Sequence, residues 1–172
     1  MKWNRLLAVI IVVMLGCSVA WLPQESRAEE KKPRTIFYLF WGDGCPHCEK
    51  EREFLFKIRK DYPEVEMRWF EIWNHPEYAK LADALSKTYK LKAVSVPMTF
   101  IGDWNVIGFQ SAETTGVQIM QQLDKCANEG CKDTLDLLGP RADVEKIREE
   151  AAKQAPTDWE LFPVAVPKDE SK

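Results

Sequence analysis

The 172-residue chain has no basic run, no basic face and no internal repeat, and its formal net charge is −3. Proteins that bind nucleic acid carry clustered lysine and arginine, so this class is excluded. The chain also lacks a histidine after its C-x2-C pair, where Glu49 stands instead. Covalent haem attachment requires that histidine, so a c-type cytochrome is excluded as well.

The first 28 residues have the pattern of an export signal. Lys2 and Arg5 give a basic start, residues 6–22 are apolar, and residues 26–28 (Ser-Arg-Ala) form a small-x-small cleavage site. The pattern predicts a periplasmic or other extracytoplasmic protein whose net charge without the signal is −5. An uncleaved membrane anchor is the alternative, although a 17-residue apolar helix of about 26 Å is slightly short for a bilayer.

The cysteines support export. Of the five, Cys17 lies in the predicted signal, where the local sequence loosely resembles a lipoprotein cleavage site and leaves lipidation as a further alternative. The other four form two close pairs, Cys45 with Cys48 and Cys126 with Cys131. An even number of cysteines in an exported chain indicates a compartment in which disulfides persist.

The stretch from Thr35 to Lys60 carries the clearest chemical signal. An apolar run at 36–41 predicts a buried strand, residues 42–44 (Gly-Asp-Gly) predict a tight turn, and a charged segment with apolar residues at helical spacing follows. The tetrapeptide C-P-H-C, at 45–48, opens that helix. A strand, a turn and a helix with two cysteines in its first turn are typical of a redox motif.

The helix terminus explains why this arrangement is reactive. Unpaired N–H groups and the helix dipole favour the ionised form of Cys45 and lower the pKa of its thiol below the ordinary value of about 8.5. Pro46 suits the first helical turn, and a protonated His47 adds a positive charge beside the sulfur. Cys48, one turn further on, is placed to attack a mixed disulfide at Cys45.

The remaining patterns complete an α/β domain. They predict a strand at 65–73, a helix at 75–89, a strand at 94–101, its hairpin partner at 106–109 and a helix at 111–126. The order βαβαββα predicts a four-stranded mixed sheet flanked by helices. We therefore divide the chain into a signal (1–28), a redox domain (29–131), and a C-terminal helix with an extended tail from residue 156 (132–172).

These features resemble the thioredoxin-fold oxidoreductases, through F-W-G-D-G-C-P-H-C at 40–48 and Val96-Pro97 opening the third predicted strand. C-P-H-C is the tetrapeptide of DsbA-type oxidants, whereas the compact core is more similar to glutaredoxin and to glutaredoxin-like domains that act with membrane electron-transfer proteins. The resemblance implies Cys45 as nucleophile, Cys48 as resolving cysteine, and a cis Val96–Pro97 bond beside which an extended substrate strand pairs. The resemblance implies no cofactor and no metal. The candidate partners that it implies are cysteine-containing proteins and a membrane-bound redox protein.

Thioredoxins also carry a buried acid six positions before the first active-site cysteine. In that family the acid assists proton transfer at the second cysteine. The position is Leu39 here, so the local proton acceptor for Cys48 is missing or different. Glu49, Glu51 and Glu53 are nearby in the sequence, which places none of them against the sulfur.

Three alternatives remain open at this point. The four cysteines could hold zinc, because C-x2-C and C-x4-C together supply four thiolates. The fold could be a redox-inactive module that binds peptide near Pro97, with both pairs as structural disulfides. Cys126 and Cys131 are expected to form a structural disulfide, and a shuttle that passes electrons to Cys45 and Cys48 is the competing hypothesis.

Overall fold

The computed structural model describes residues 34–140 and 142–154. Its strands and α-helices are, in chain order, β1 (Ile36–Trp41), α1 (Pro46–Ile58), β2 (Glu66–Glu71), α2 (Pro76–Thr88), β3 (Met98–Ile101), β4 (Trp104–Ile107), α3 (Val117–Glu129) and α4 (Ala142–Gln154). Short 3-10 turns at Arg59–Asp61 and Thr134–Leu138 and a π-helical turn at Ala112–Gly116 connect them. The predicted signal and the predicted tail from residue 156 lie outside the described residues.

The four strands form one mixed sheet in the order β2-β1-β3-β4. β1 and β2 are parallel, as a strand–helix–strand unit requires, whereas β3 runs antiparallel to both β1 and β4. This sheet, with its flanking helices, confirms the predicted thioredoxin-like α/β fold. The apolar run of β1 is explained by its central place, because residues 37–40 are fully buried between the two layers of helices.

The two faces of the sheet carry separate clusters of apolar side chains, which alternate along β1 as the pleat requires. Phe37 and Leu39 face α1 and α3, whereas Tyr38 and Phe40 face α2. The first face is completed by Leu55 and Ile58 of α1 and Ile119 and Leu123 of α3; the second is completed by Tyr78, Leu81 and Leu85 of α2. Helix α1 therefore presents one stripe of its surface to the sheet and the opposite one to solvent.

The hairpin differs from its sequence prediction at both strands. β3 begins at Met98 and not at 94, since Pro97 has no N–H to donate to a strand ladder. β4 begins at Trp104 because the turn is only Gly102 and Asp103, with Gly102 at a φ of 63°. A two-residue hairpin turn needs positive φ, and glycine adopts it without a steric cost.

The third predicted helix also differs at its ends. Residues 112–116 form a π-helical turn before α3 starts at Val117, and α3 continues to Glu129 instead of ending at Cys126. Gly130, with a φ of 78°, ends the helix. The α-helix therefore begins six residues later and ends three residues later than the apolar pattern predicts.

Helix α4 packs on the domain through apolar side chains and through the ion pairs of Arg148. Val144 is buried in the cluster beneath α2, and the Arg148 guanidinium lies 3.4 Å from an Asp133 carboxylate oxygen and 2.9 Å from one of Asp136. Asp133 in turn accepts a 2.6 Å hydrogen bond from the Tyr38 hydroxyl on the central strand. Among the described helices, none is both long and apolar enough to cross a membrane.

Candidate active site

The site lies at one end of the two central strands of the sheet, where β1 ends and β3 begins. The antiparallel register pairs Phe40 with Met98, so the turn that follows β1 is brought next to Pro97, which precedes β3. β4 ends at the same end of the sheet, because Ile107, its last residue, pairs with Met98, the first residue of β3. Residues separated by some fifty positions in the sequence therefore meet around Cys45.

Cys45 occupies the N-cap position of α1, with Pro46 in the first helical turn. The Cys48 N–H donates to Cys45 Sγ at an N···S distance of 3.2 Å, and this contact would persist in a thiolate as a charge-assisted hydrogen bond. The two cysteines form a disulfide with their Cα atoms 5.3 Å apart. Cys48 is fully buried and Cys45 is 6% exposed, so Cys45 is the sulfur nearer to solvent.

His47 is exposed and turns towards the end of the hairpin. Its Nδ1 lies 3.0 Å from the Phe109 carbonyl oxygen. A carbonyl can only accept, so Nδ1 carries the proton and Nε2 is the atom left to gain one. An open groove of about 310 Å³ begins beside this contact, lined by Lys50, Glu53, Phe54 and Lys57 of α1 and by residues 109–112.

The Val96–Pro97 peptide bond is cis, which is the geometry that the resemblance implies. Pro97 is buried, and its carbonyl oxygen accepts from the Gly108 N–H at 2.7 Å. Within the described residues, the Val96 N–H and C=O make no hydrogen bond. These backbone groups of Val96 are thus available to pair with an added strand at the end of the sheet where Cys45 lies.

The turn before Cys45 is held by the end of β2. The carboxylate of Glu71 accepts from the backbone N–H groups of Asp43 (3.2 Å), Trp73 (3.0 Å) and Asn74 (2.8 Å). The Trp73 ring covers Gly42 so closely that a Cβ there would overlap it. These contacts hold the turn that sets the position of Cys45.

Sequence reasoning did not distinguish Glu51 from Glu49 and Glu53; in the structure Glu51 is buried, one turn beyond Cys48. One of its carboxyl oxygens accepts a short hydrogen bond from the Thr99 hydroxyl. Burial raises the pKa of Glu51 to about 8, and the Thr99 hydrogen bond opposes part of that rise. The sequence indicated that Glu51 is buried, because this residue continues the helical stripe of Cys48, Leu55 and Ile58.

Cys126 and Cys131 form the second disulfide, with Cα atoms 4.9 Å apart, at the far edge of the sheet. Cys131 packs against Gly102, which follows β3. Gly102 and Pro97 are five positions apart along an extended strand, which is a span of about 17 Å. The two pairs are therefore too far apart to share a zinc ion, and in the described part of the chain no cluster of three or more metal-ligating side chains is found.

No family model and no curated protein sequence matches this chain. Among solved structures, protein AGR_C_4864 from Agrobacterium tumefaciens is 21% identical, with a TM-score of 0.45 over 59% of this chain and 48% of its own, so this chain spans about half of that protein's length. Glutaredoxin 1 from Francisella tularensis, complexed with cacodylate, is 18% identical with a TM-score of 0.38, over 51% of this chain and 98% of its own.

StoA from Bacillus subtilis is similar at the same level. It is 18% identical with a TM-score of 0.35, over 54% of this chain and 84% of its own. Similarity at these identities and TM-scores assigns no activity to this chain.

Proposed function

We propose that the protein is a thiol–disulfide oxidoreductase in which Cys45 is the nucleophile and Cys48 the resolving cysteine. One observation carries the proposal: Cys45 Sγ lies at the N-terminus of α1 and accepts a backbone N–H at 3.2 Å. Favourable interaction of an anion with a helix N-terminus contributes about 0.3–2 kcal/mol, and each 1.4 kcal/mol lowers a pKa by about one unit. The thiolate of Cys45 is thereby favoured over the thiol.

The reaction is an exchange of disulfides that conserves atoms and electrons. A substrate thiolate attacks Cys45 Sγ, the Cys45–Cys48 bond breaks, and the sulfur of Cys48 leaves with the bonding pair. A second substrate thiolate then attacks the sulfur of the first, the substrate leaves with a new disulfide, and Cys45 leaves as a thiolate. In the opposite direction, Cys45 attacks a substrate disulfide and Cys48 resolves the mixed disulfide.

We further propose that the oxidising direction dominates, as in the C-P-H-C oxidants of the DsbA type. His47 supports this direction because its ring, which contacts the Phe109 carbonyl oxygen through Nδ1, lies in the first turn of α1 and carries a positive charge when both ring nitrogens hold a proton. A cation at this place favours the reduced form of Cys45, and stabilising the reduced form makes the disulfide more oxidising.

The substrates that fit this site are extended protein segments containing cysteine. The unpaired backbone of Val96, next to the cis bond to Pro97, supports binding by strand addition. If residues 1–28 direct export, the exchange takes place in the periplasm or another extracytoplasmic compartment, where a membrane-bound redox protein could regenerate Cys45 and Cys48.

The test has two parts, both made on the full chain without its predicted signal. The first is a titration of thiolate absorbance in the reduced protein, with Cys48→Ser to isolate Cys45; we expect Cys45 to ionise below about pH 7.5. The second is trapping: Cys48→Ser should accumulate a mixed disulfide with an unfolded substrate protein that contains a disulfide, because Cys45 attacks that disulfide and no resolving cysteine follows, and Cys45→Ser should not.

Two results would contradict the proposal. A Cys45 that ionises no more readily than free cysteine would remove its physical basis. A Cys45–Cys48 disulfide that resists dithiothreitol in the folded protein would favour the redox-inactive, peptide-binding module. The equilibrium potential of the pair against glutathione decides the direction, because a value near that of thioredoxin would assign the protein to the reductants.

A further inference from the structure

Trp73 is a largely exposed aromatic residue beside the active-site turn, and the exchange described above does not use it. It is 57% exposed, more than any other large apolar residue in the described part of the chain. Its ring nevertheless has a fixed position, because it packs against the backbone of Gly42 where a Cβ would overlap it. One part of the ring is thus held by the protein, and the rest faces solvent.

The ring lies one tight turn from the reactive sulfur. The Gly42 carbonyl oxygen accepts the N–H of Cys45 at 3.2 Å, and a turn of this kind keeps its first and fourth Cα atoms within about 7 Å of each other. An extended chain advances about 3.3 Å per residue. A side chain about two or three positions away from a substrate cysteine bound at Cys45 therefore reaches the Trp73 ring.

Trp73 is ordered before any partner arrives. Its backbone N–H donates to Glu71 at 3.0 Å, and its ring is packed on Gly42. A side chain that is already ordered loses less conformational entropy on association. Tryptophan is also among the residues most enriched at the energetically dominant positions of protein interfaces. The exposed part of the ring therefore has the properties of a contact point for another protein.

The surroundings of this ring are acidic. The N–H groups of Asp43 and Trp73 both donate to Oε1 of Glu71, at 3.2 and 3.0 Å, so the three residues are immediate neighbours. Asp43 is exposed. Slight burial raises the pKa of Glu71, but the backbone N–H groups that it accepts, together with His75, lower that pKa below its ordinary value. Both carboxyl groups are therefore ionised at neutral pH.

The cations of the protein around this turn are engaged elsewhere. Arg52 attracts Asp43, but it is buried and its guanidinium lies 4.7 Å from the centre of the Trp41 ring. His75 pairs with Glu77 at 3.3 Å. The solvent side of the turn thus keeps an excess of negative charge.

We propose that Trp73, with Asp43 and Glu71, binds an arginine side chain that lies about two or three positions from the reactive cysteine of a protein substrate. The inference rests on the proposed function and adds a substrate class to it. A cation over the face of a tryptophan ring is attracted by the negative charge of that face. Arginine fits better than lysine, because its planar guanidinium stacks on the ring while its N–H groups reach a carboxylate.

The opposite flank of Cys45 has the opposite charge. Trp73 follows β2, which is one edge strand of the sheet, whereas the groove described above is lined by the residues that follow β4, the other edge strand. Lys50 and Lys57 outnumber Glu53 in that groove. An arginine is attracted to the Trp73 flank and repelled from the groove, so it also fixes the direction in which a substrate segment crosses the site.

The experiment measures how fast the reduced protein opens 2-hydroxyethyl disulfide and the symmetrical disulfides of short cysteine peptides. The peptides carry either arginine or glutamine near the cysteine, before it in one pair and after it in the other. In each reaction the Cys45 thiolate attacks one sulfur, the sulfur–sulfur bond breaks, and the second half leaves as a thiolate; Cys48 then displaces the first half. The released thiols are quantified after an acid quench.

The preference for arginine is the rate constant for the arginine peptide divided by that for the matching glutamine peptide. In the unmodified protein we expect a preference of about fivefold in one of the two pairs, since the other pair brings the arginine to the lysines. The preference should decrease with added salt, because exposed charges are screened.

Trp73→Leu is the main variant, since leucine still covers Gly42 but has no aromatic face. We expect its preference to fall to about one, while its rate with 2-hydroxyethyl disulfide stays within about twofold of the unmodified protein. Asp43→Asn should keep the ring and lower the preference by about half. Phe56→Ala is the matched control, because it removes another partly exposed ring, of 36% exposure, from the same domain and should leave the preference unchanged.

Three results would overturn the inference: no preference for arginine in either pair, a preference that persists in Trp73→Leu, or an equal slowing of all the disulfides in that variant, which would mean that the ring only holds the turn. Failure of the proposed function is a separate result, since the unmodified protein would then not open 2-hydroxyethyl disulfide through Cys45 at all.

Discussion

Replacing Glu51 by glutamine should change how the free energy of unfolding depends on pH, even when both disulfides stay intact. Burial raises the pKa of Glu51 to about 8 from an ordinary value of 4.5. Between these two values the folded protein holds a proton that the unfolded chain has released. The stabilisation is therefore fully present below the unfolded pKa and is lost as the pH rises through the folded one.

The magnitude follows from the size of the interval. Each unit of pKa difference corresponds to about 1.4 kcal/mol, and the carboxyl group is half titrated in the unfolded chain at pH 4.5 and in the folded protein at pH 8. The contribution of Glu51 should therefore fall by about 4 kcal/mol between these two pH values. A glutamine is neutral throughout and has no such dependence. The two proteins should be similarly stable near the lower limit, and Glu51→Gln should become the more stable protein as the pH approaches the upper one.

The assay is urea unfolding without reductant, followed by tryptophan fluorescence, at a series of pH values across this interval. Taking the difference between the two proteins cancels the other titrating groups, because these groups are common to both. Glu49→Gln should retain the slope of the unmodified protein, since its side chain is exposed. Parallel stability curves for Glu51→Gln and the unmodified protein would show that the carboxyl group is ionised when folded, and would refute this reasoning.

Three further substitutions test the frame of the site. Gly42→Ala should cost about 1–3 kcal/mol in the free energy of unfolding because the new Cβ overlaps the Trp73 ring; the cost should largely disappear in a Trp73→Ala background, and a cost independent of Trp73 would contradict the packing argument. Glu71→Ala removes the acceptor of three backbone N–H groups and should cost about 1–2 kcal/mol, with faster amide exchange in the turn before Cys45; unchanged exchange would argue against its role. Replacing Cys126 and Cys131 together by serine should lower stability by about 2 kcal/mol in urea unfolding but leave disulfide exchange unchanged, whereas slower turnover would support the shuttle hypothesis.

The strand–turn–helix unit could be predicted from sequence because its determinants are local. A continuous apolar run, glycines at the turn and a proline in the first helical turn each favour one backbone conformation whatever surrounds them. The bounds of β1 agree with the prediction, and Cys45 is the N-cap of α1. The hairpin was less predictable, since the choice between a two-residue and a four-residue turn changes which residues of β3 and β4 face each other.

The sequence by itself determined the order of strands and helices and the place of Cys45 at the start of a helix, because periodicity and turn chemistry act within a few residues of the chain. Only the tertiary structure decided which residues meet at the site. Glu51 is one of three closely spaced glutamates in the sequence, and it differs from the others because α1 lies with that face on the sheet. The loss of solvent raises its proton affinity, and the hydrogen bond from Thr99, nearly fifty residues away, opposes part of that rise; no local pattern encodes the contact with Thr99.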